Sequence, residues 1–475
     1  MARTKYTAPW IIAHRDGAHR TLRDGCVVVD GKEIVFVGHE YDGVVEQVVP
    51  TDHVITPGFI STHTHMQESP ADKGIAEDVQ KRQFWSTNLI EILPPRAQAL
   101  SVDAMRACAD FSVYEHLRTG ATTVVQMGTE SDYIADVCER VGLRAFIAES
   151  YRSGRWKTDD GRTVAYEWSD DDGRAAFDRG VAFARRHRNA DGQRLVTGFL
   201  NPSQVDTCSA QLLSDSIAAA DELDVPLQIH AAQSLSEFIE MTRRHARTPI
   251  EWLHDLGFLR PRSIIGHGLF LTDTSWTNFH GEDLEILARS GASVSYNAWV
   301  FGRNGIVMET FDRYREAGVN VVMGTDSVTQ SMLDSCRWTA VLGKVMARRS
   351  DAATAGQVFD AATTAAARAL GRDDIGRVAP GCKADLLFWR TDSSFMTPLR
   401  DPVRNIVYYA EPEDLDKVMV DGRVVMEDRR VHGLDHEAAL AGVQAGAERV
   451  WGQWPEHDWA GRSMDEHVPL TYDAY

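Results

Sequence analysis

The sequence predicts an α/β protein built on a TIM-like (β/α)8 barrel, with short β-strands at both chain ends. Strand-like runs and helical patterns alternate eight times between residues 57 and 324. Residues 1–57 and 378–432 carry short β-runs separated by turns and lie outside that alternation. The first, fifth, sixth and eighth runs end in histidine or aspartate, at the strand ends where a barrel places its chemistry.

The first run, Val54–Ile60, flanks Pro57-Gly58 and leads into His63-Thr64-His65. Apolar residues around a Pro-Gly read as a buried strand entered through a turn. Side chains alternate along a strand, so His63 and His65 project to the same side. Two such imidazoles can grip one divalent metal at about 2.0–2.1 Å. A helix is predicted over 101–119, capped by Ser101. Further strand runs follow at 122–127, 144–149 and 195–200, then Val225–His230, Ser263–Gly268, 292–296 and Val319–Asp326. Helical patterns at 209–223, 234–245, 282–290 and 307–317 separate most of them. Gly266 and Gly268 flank His267, so a ligand or metal can approach that imidazole closely. Residues 433–475 read as a helix and then a tail rich in Trp and acids, with Trp451, Trp454 and Trp459. This tail is expected to pack across the barrel or a neighbouring subunit.

Singly, each strand-end histidine reads as a capping or hydrogen-bonded residue, and Asp326 as a turn or helix cap. The order HxH, His230, His267, Asp326, each at a strand end, is hard to explain structurally. Three or four histidines with one carboxylate suit zinc, iron, cobalt or manganese.

The net charge of −19 disfavours nucleic acid and anionic membrane surfaces as partners. No apolar stretch is long enough for a membrane span, and the start of the chain lacks an apolar signal core. Six scattered cysteines without a CxxC pair fit a reduced, cytoplasmic enzyme. Cys108, Cys138 and Cys336 lie in helix-like runs and read as small buried hydrophobes.

The chain resembles the amidohydrolase superfamily over nearly its whole length. The likeness rests on the metal-type residues and on Asp30–Gly38, Gly120–Val125, Gly376–Leu387 and Val418–Val425. It implies a metal-dependent (β/α)8 barrel over 58–377 and a small β-sandwich from 1–57 and 378–432, with 433–475 packing on the barrel or a neighbour. It also implies a homo-oligomer acting on a small-molecule substrate. By the same resemblance His63, His65, His230 and Asp326 bind one divalent metal, zinc first among the candidates. Asp326 acts as general base and His267 holds the water or developing oxyanion. The bridging lysine of binuclear members is missing from the fourth run, Leu195–Gln204, and Asp206 and Cys208 are the nearby alternatives. A mononuclear site is expected.

Gln233 departs from the pattern. Ring-deaminating members usually place a proton-shuttling glutamate three residues after the strand-five histidine, and an amide cannot carry that proton. Gln233 can still orient water or substrate. Glu237, one helical turn on, reads as a solvated residue. This favours hydrolysis of an amide, urea or carbamate carbonyl. A second likeness points the same way: Ser69–Asp78, Arg82–Phe84, Asn201–Cys208 and Ile229–Ser234 look like phenylurea and molinate hydrolases. His63 departs from the asparagine of the phenylurea enzymes. Gln67, Phe84, Trp85, Tyr151, Trp156, Asn297, Trp299 and Phe301, with Met66, are candidate pocket walls, and their aromatic bias suits an apolar substrate. The alternative within enzymes is an aminohydrolase or chlorohydrolase acting on a heteroaromatic ring such as a triazine or pterin. A non-catalytic scaffold is the alternative from another class, and the costly polar cluster at the barrel mouth argues against it.

Overall fold

The computed structural model describes residues 3–79, 81 and 87–472. Phe84 and Trp85, expected near the substrate, lie outside the described residues. The barrel strands are Phe59–Thr64, Ala121–Gly128, Arg144–Tyr151, Val196–Gly198 with Asn201–Pro202, Leu227–Ala231, Ser263–His267, Ser293–Tyr296 and Asn320–Met323. Consecutive strands pair in parallel. Parallel bridges Leu200↔Leu227 and Gln204↔His230 join the fourth strand to the fifth, and Thr64↔Asp326 joins the eighth to the first. The ring is therefore closed, and each of the eight predicted runs supplies a stave.

Strands such as Phe59–Thr64 and Ser263–His267 are buried at every residue, as parallel strands covered on both faces must be. One apolar cluster contains Ile60, Val125, Phe146, Phe199, Ile264 and Val322, together with Ala365–Ala367. Each of these six precedes the last residues of its run. Apolar packing thus plugs the lower end of the barrel, and polar residues are left for the upper end.

The helices start where hydroxyl caps allow. Ser101 accepts the N–H of Ala104 at 3.3 Å, Ser209 that of Leu212 at 3.0 Å, and Ser234 that of Glu237 at 3.2 Å. The pattern at 307–317 yields a shorter helix, Phe311–Glu316, because the Thr310 side chain caps it at the N–H of Arg313.

The two chain ends meet in one nine-stranded sheet. Val54–Pro57 is the seam, pairing antiparallel with Leu386–Trp389 and in parallel with Trp10-Ile11. Arg144, at the start of the third barrel strand, is buried and binds Asp385 at 3.2 Å and Asp421 at 2.5 Å. This ion cluster locks the barrel to the terminal sheet; losing one partner of such a buried set costs roughly 3–5 kcal/mol. The helix His436–His457 packs along Val102–Arg118. All six cysteines are buried and unpaired. Among the described residues no helix is long and apolar enough to cross a membrane.

Candidate metal centre and substrate cavity

The closing bridge of the barrel builds the site. Asp326 donates its backbone N–H to the His63 carbonyl at 2.8 Å, and His65 donates its own to the Asp326 carbonyl at 2.9 Å. The first and eighth strand ends are thereby stapled side by side. His267 and Asp326 both have left-handed backbones, with φ of 87° and 60°. Such strain persists only where surrounding structure enforces it, and it clusters at functional sites.

His63, His65 and His230 form one group of converging ligand atoms, and His63, His267 and Asp326 a second; within each group the atoms lie within 4.8 Å of one another. His65 Nδ1 is 3.1 Å from the Met127 carbonyl, and His230 Nδ1 is 2.6 Å from the Ser203 carbonyl. A carbonyl only accepts, so both Nδ1 atoms carry the proton and both Nε2 atoms present lone pairs. Those two Nε2 atoms face each other at 3.1 Å. His63 Nε2 is buried without a hydrogen-bond partner among the described residues. A cation between these converging nitrogens would satisfy both lone pairs and the unpartnered His63 Nε2, so the donor set fits a metal. The carbonyl contacts to the far ring nitrogens are those that orient metal-binding imidazoles.

Burial, and then the neighbouring imidazoles, push His63 and His267 well below the ordinary histidine range and His230 down to about 3. These rings are neutral, as ligands must be. Burial raises the Asp326 carboxyl, while His65 and Arg303 oppose the rise. Asp326 lies 3.8 Å from both His65 Nε2 and His267 Nδ1. Asn297, buried, brings its Nδ2 to 3.0 Å from His267 Nδ1. Phe301 packs on the same ring with centroids 4.5 Å apart.

His65, His230, His267 and Asp326 line a cavity of about 690 Å³, with Gln67, Tyr151, Trp156, Gln233 and Phe301 among its walls. Met66 and Asn297 are buried behind it, Met66 in the main core and Asn297 on His267. Trp299 is directed elsewhere: its Nε1 donates to the Val328 carbonyl at 3.0 Å and its ring meets Trp338. Gly266 makes room for a different group from the one expected. A Cβ there would come within 2.8 Å of His63 Cε1, so this glycine accommodates the first imidazole of the pair.

Neither alternative bridging residue joins the two ligand groups. Asp206 accepts from Trp156 Nε1 and from the Tyr166 hydroxyl, each at 2.7 Å. Cys208 is buried against the Tyr151 carbonyl. Glu237 is not solvated as its sequence position implies. It is 1% exposed and accepts the backbone N–H groups of Ala232 at 2.6 Å and Gln233 at 3.3 Å.

Sequence reasoning missed a charged wall made by Glu68, Asp72 and Arg96. Arg96, 2% exposed, donates to Asp72 at 2.9 Å and also binds Glu68. Burial would raise Glu68, but Arg96 and then His65 hold it below its ordinary range. Asp72 is pushed up to about 6 by burial, against the pull of Arg96. The nearness of Glu68 to His65 in the chain was the available signal. Arg96 follows by 28 residues, and nothing local marks it.

The sequence pattern of the amidohydrolase family matches residues 54–425. A 5'-deoxyadenosine deaminase of Methanothermobacter thermautotrophicus is 29% identical over 91% of this chain and 96% of its own. A 5-methylthioadenosine/S-adenosylhomocysteine deaminase of Halobacterium salinarum is 30% identical over 92% and 96%. Among solved structures, an adenosine deaminase from Xanthomonas campestris with bound zinc superposes with a TM-score of 0.81 at 23% identity, covering 94% of this chain and 98% of that one. An atrazine chlorohydrolase from Arthrobacter aurescens in complex with zinc gives 0.80 at 20% identity, over 94% and 100%. The first two relatives are deaminases of adenosine derivatives by name, not the phenylurea and molinate hydrolases expected from the loop motifs.

Proposed function

Because the chain belongs to the amidohydrolase family and is a hydrolase of carbon–nitrogen bonds, we propose that it is a metal-dependent aminohydrolase acting on a heteroaromatic ring of purine type. The observation that carries this is the likeness, over more than nine-tenths of the chain, to deaminases of adenosine derivatives. The aromatic walls of a cavity of about 690 Å³ suit a flat substrate with a substituent. The reaction replaces the exocyclic amine of the ring by the oxygen of water and releases ammonia.

His63, His65, His230 and Asp326 would hold one divalent ion, with zinc the first candidate. When bound, such an ion supplies Lewis acidity, lowering the pKa of a water from 15.7 towards about 7. Asp326, between His65 and His267, takes the proton of the attacking water and later returns it to the leaving amine. His267, fixed by Asn297 and Phe301, donates to the attacking oxygen. Gln233 orients the ring through its amide.

Gln233 supports a second reading. Carbonyl hydrolysis of an amide, urea or carbamate needs no proton delivered to a ring nitrogen, so a glutamine at this position suffices there. The test is product analysis by mass spectrometry with metal-reconstituted protein and His230→Ala as the blank. The panel holds 5'-deoxyadenosine, S-adenosylhomocysteine, aminotriazines, pterins, aryl ureas, thiocarbamates and anilides. Ammonia with an amino group exchanged for a carbonyl supports the ring reading. Release of an amine or thiol from a cleaved carbonyl compound overturns it in favour of the second.

A further inference from the structure

The C-terminal tail returns to the barrel mouth. His457, Asp458 and Trp459 line the same cavity as the histidines. Trp459 is held there from three directions, by Glu91, by the Arg462 guanidinium 5.3 Å over its ring and by Gly161. Its Nε1 donates to Glu91 Oε1 at 2.8 Å, across 368 residues of chain. Arg462 donates to the same oxygen at 3.1 Å and forks onto Asp458 at 2.9 and 2.6 Å. On the other side lies Gly161, where a Cβ would come within 2.5 Å of the indole Cζ2. Gly161 sits between the paired strands Gly154–Lys157 and Ala165–Trp168, so this hairpin abuts the indole.

Glu91 belongs to a π-helical turn, Asn88–Ile92, a distortion frequent at functional sites. Its side chain has no accessible surface, and Lys81 Nζ lies 2.5 Å from its second oxygen. Burying a carboxylate is costly unless it is paired on every side. Here part of that pairing is spent on fixing a tryptophan that is still 39% exposed. Its indole keeps open surface on a cavity whose floor carries the ligand histidines.

We propose that Trp459 is a specificity-determining residue. Its indole is the distal wall against which the substituent of the substrate packs while the reacting ring lies at the histidines. The inference rests on the ring aminohydrolase reading and deepens it: the preferred substrates are rings bearing a bulky substituent, as nucleosides do.

The test compares wild type, Trp459→Ala and Trp459→Phe on adenine and 5'-deoxyadenosine, which share the reacting ring. Loss of a distal contact made equally in ground and transition states raises KM and spares kcat. Trp459→Ala is expected to lower kcat/KM for 5'-deoxyadenosine about tenfold through KM, with the bare base unaffected and Trp459→Phe recovering most of the loss. Equal effects on both compounds, or none on either, overturn the proposal. If no ring compound is turned over by wild type, the functional reading fails, and the wall is then judged by hydrogen–deuterium exchange. Trp459→Ala must then raise exchange in residues 87–92 and 154–168 while leaving the barrel strands unchanged. Exchange that rises only in the tail overturns the wall itself.

Discussion

Glu237 accepts the backbone N–H of Ala232 at 2.6 Å, inside the protein and directly behind Gln233. Ala232 has a left-handed backbone with φ of 53°, a conformation that costs a non-glycine residue about 1–3 kcal/mol. Glu237 holds this turn, and burial followed by the nearby Asp206 raises its carboxyl well above the ordinary range. Its two oxygens accept separately, Oε1 from Ala232 and Oε2 from Gln233. Glu237→Ala leaves two buried N–H groups unpaired and is expected to lose about 2–4 kcal/mol. Glu237→Gln keeps only one acceptor oxygen and turns an N–H towards the other donor, so it should lose less than the alanine variant, about 1–2 kcal/mol. Urea unfolding at constant m-value checks both; equal losses in the two variants would show that the charge, not the acceptor, matters.

The same turn presents Gln233 to the cavity. Gln233→Glu supplies the missing proton carrier without changing side-chain length. If the ring reading holds, kcat for ring deamination should rise by about tenfold or more, since general acid–base groups contribute 10²–10⁴-fold. A new ionisation should also appear in the pH profile of kcat/KM. Unchanged ring activity alongside a loss of carbonyl hydrolysis would favour the second reading.

Gly266 makes the clearest demand on the metal site, because a Cβ there meets the His63 ring at 2.8 and 3.1 Å. Gly266→Ala must tilt that imidazole. Metal affinity is expected to fall about 10–100-fold, the usual result of disturbing what orients a ligand. Competition with a chromophoric chelator measures it. Stripping the metal from wild type should abolish turnover and lower Tm, because an ion at 1,000 times its Kd stabilises by about 4 kcal/mol. A metal-free enzyme that keeps its turnover would sink the assignment of His63, His65, His230 and Asp326.

The barrel was legible because parallel strands buried on both faces leave continuous apolar runs, and each of the eight runs here overlaps a barrel strand. The convergence of His63 and His65 was legible because HxH places both rings on one side of a strand. What escaped has no local pattern. Arg96 meets Glu68 and Asp72 only after the loop folds back. Trp459 reaches Glu91 from the other end of the chain. Glu237 sits at helical spacing that looks solvated, and only the turn at Ala232 shows why it is buried. Trp299 was drawn into the expected pocket by its place after a strand, but its indole finds the Val328 carbonyl instead.

His116 offers a test of acid stability. It is fully buried behind Thr64. Thr64 Oγ1 donates to Gln330 Oε1 at 2.6 Å, so at 3.2 Å from His116 Nε2 it must accept, and the ring carries its proton on Nε2. Burial lowers the His116 pKa to about 3, whereas in the unfolded chain it is about 6.5. The unfolded state therefore binds the extra proton first, and stability falls as pH drops from about 6.5 towards 3. Between pH 6.5 and 4 the loss from this one residue is about 3 kcal/mol. His116→Gln keeps a donor for Thr64 and cannot ionise. It should be slightly less stable than wild type at pH 7 and more stable at pH 4. The other buried histidines titrate equally in both proteins, so the difference between their urea-unfolding free energies across that range isolates His116. Parallel pH dependences would mean that another group carries the acid sensitivity.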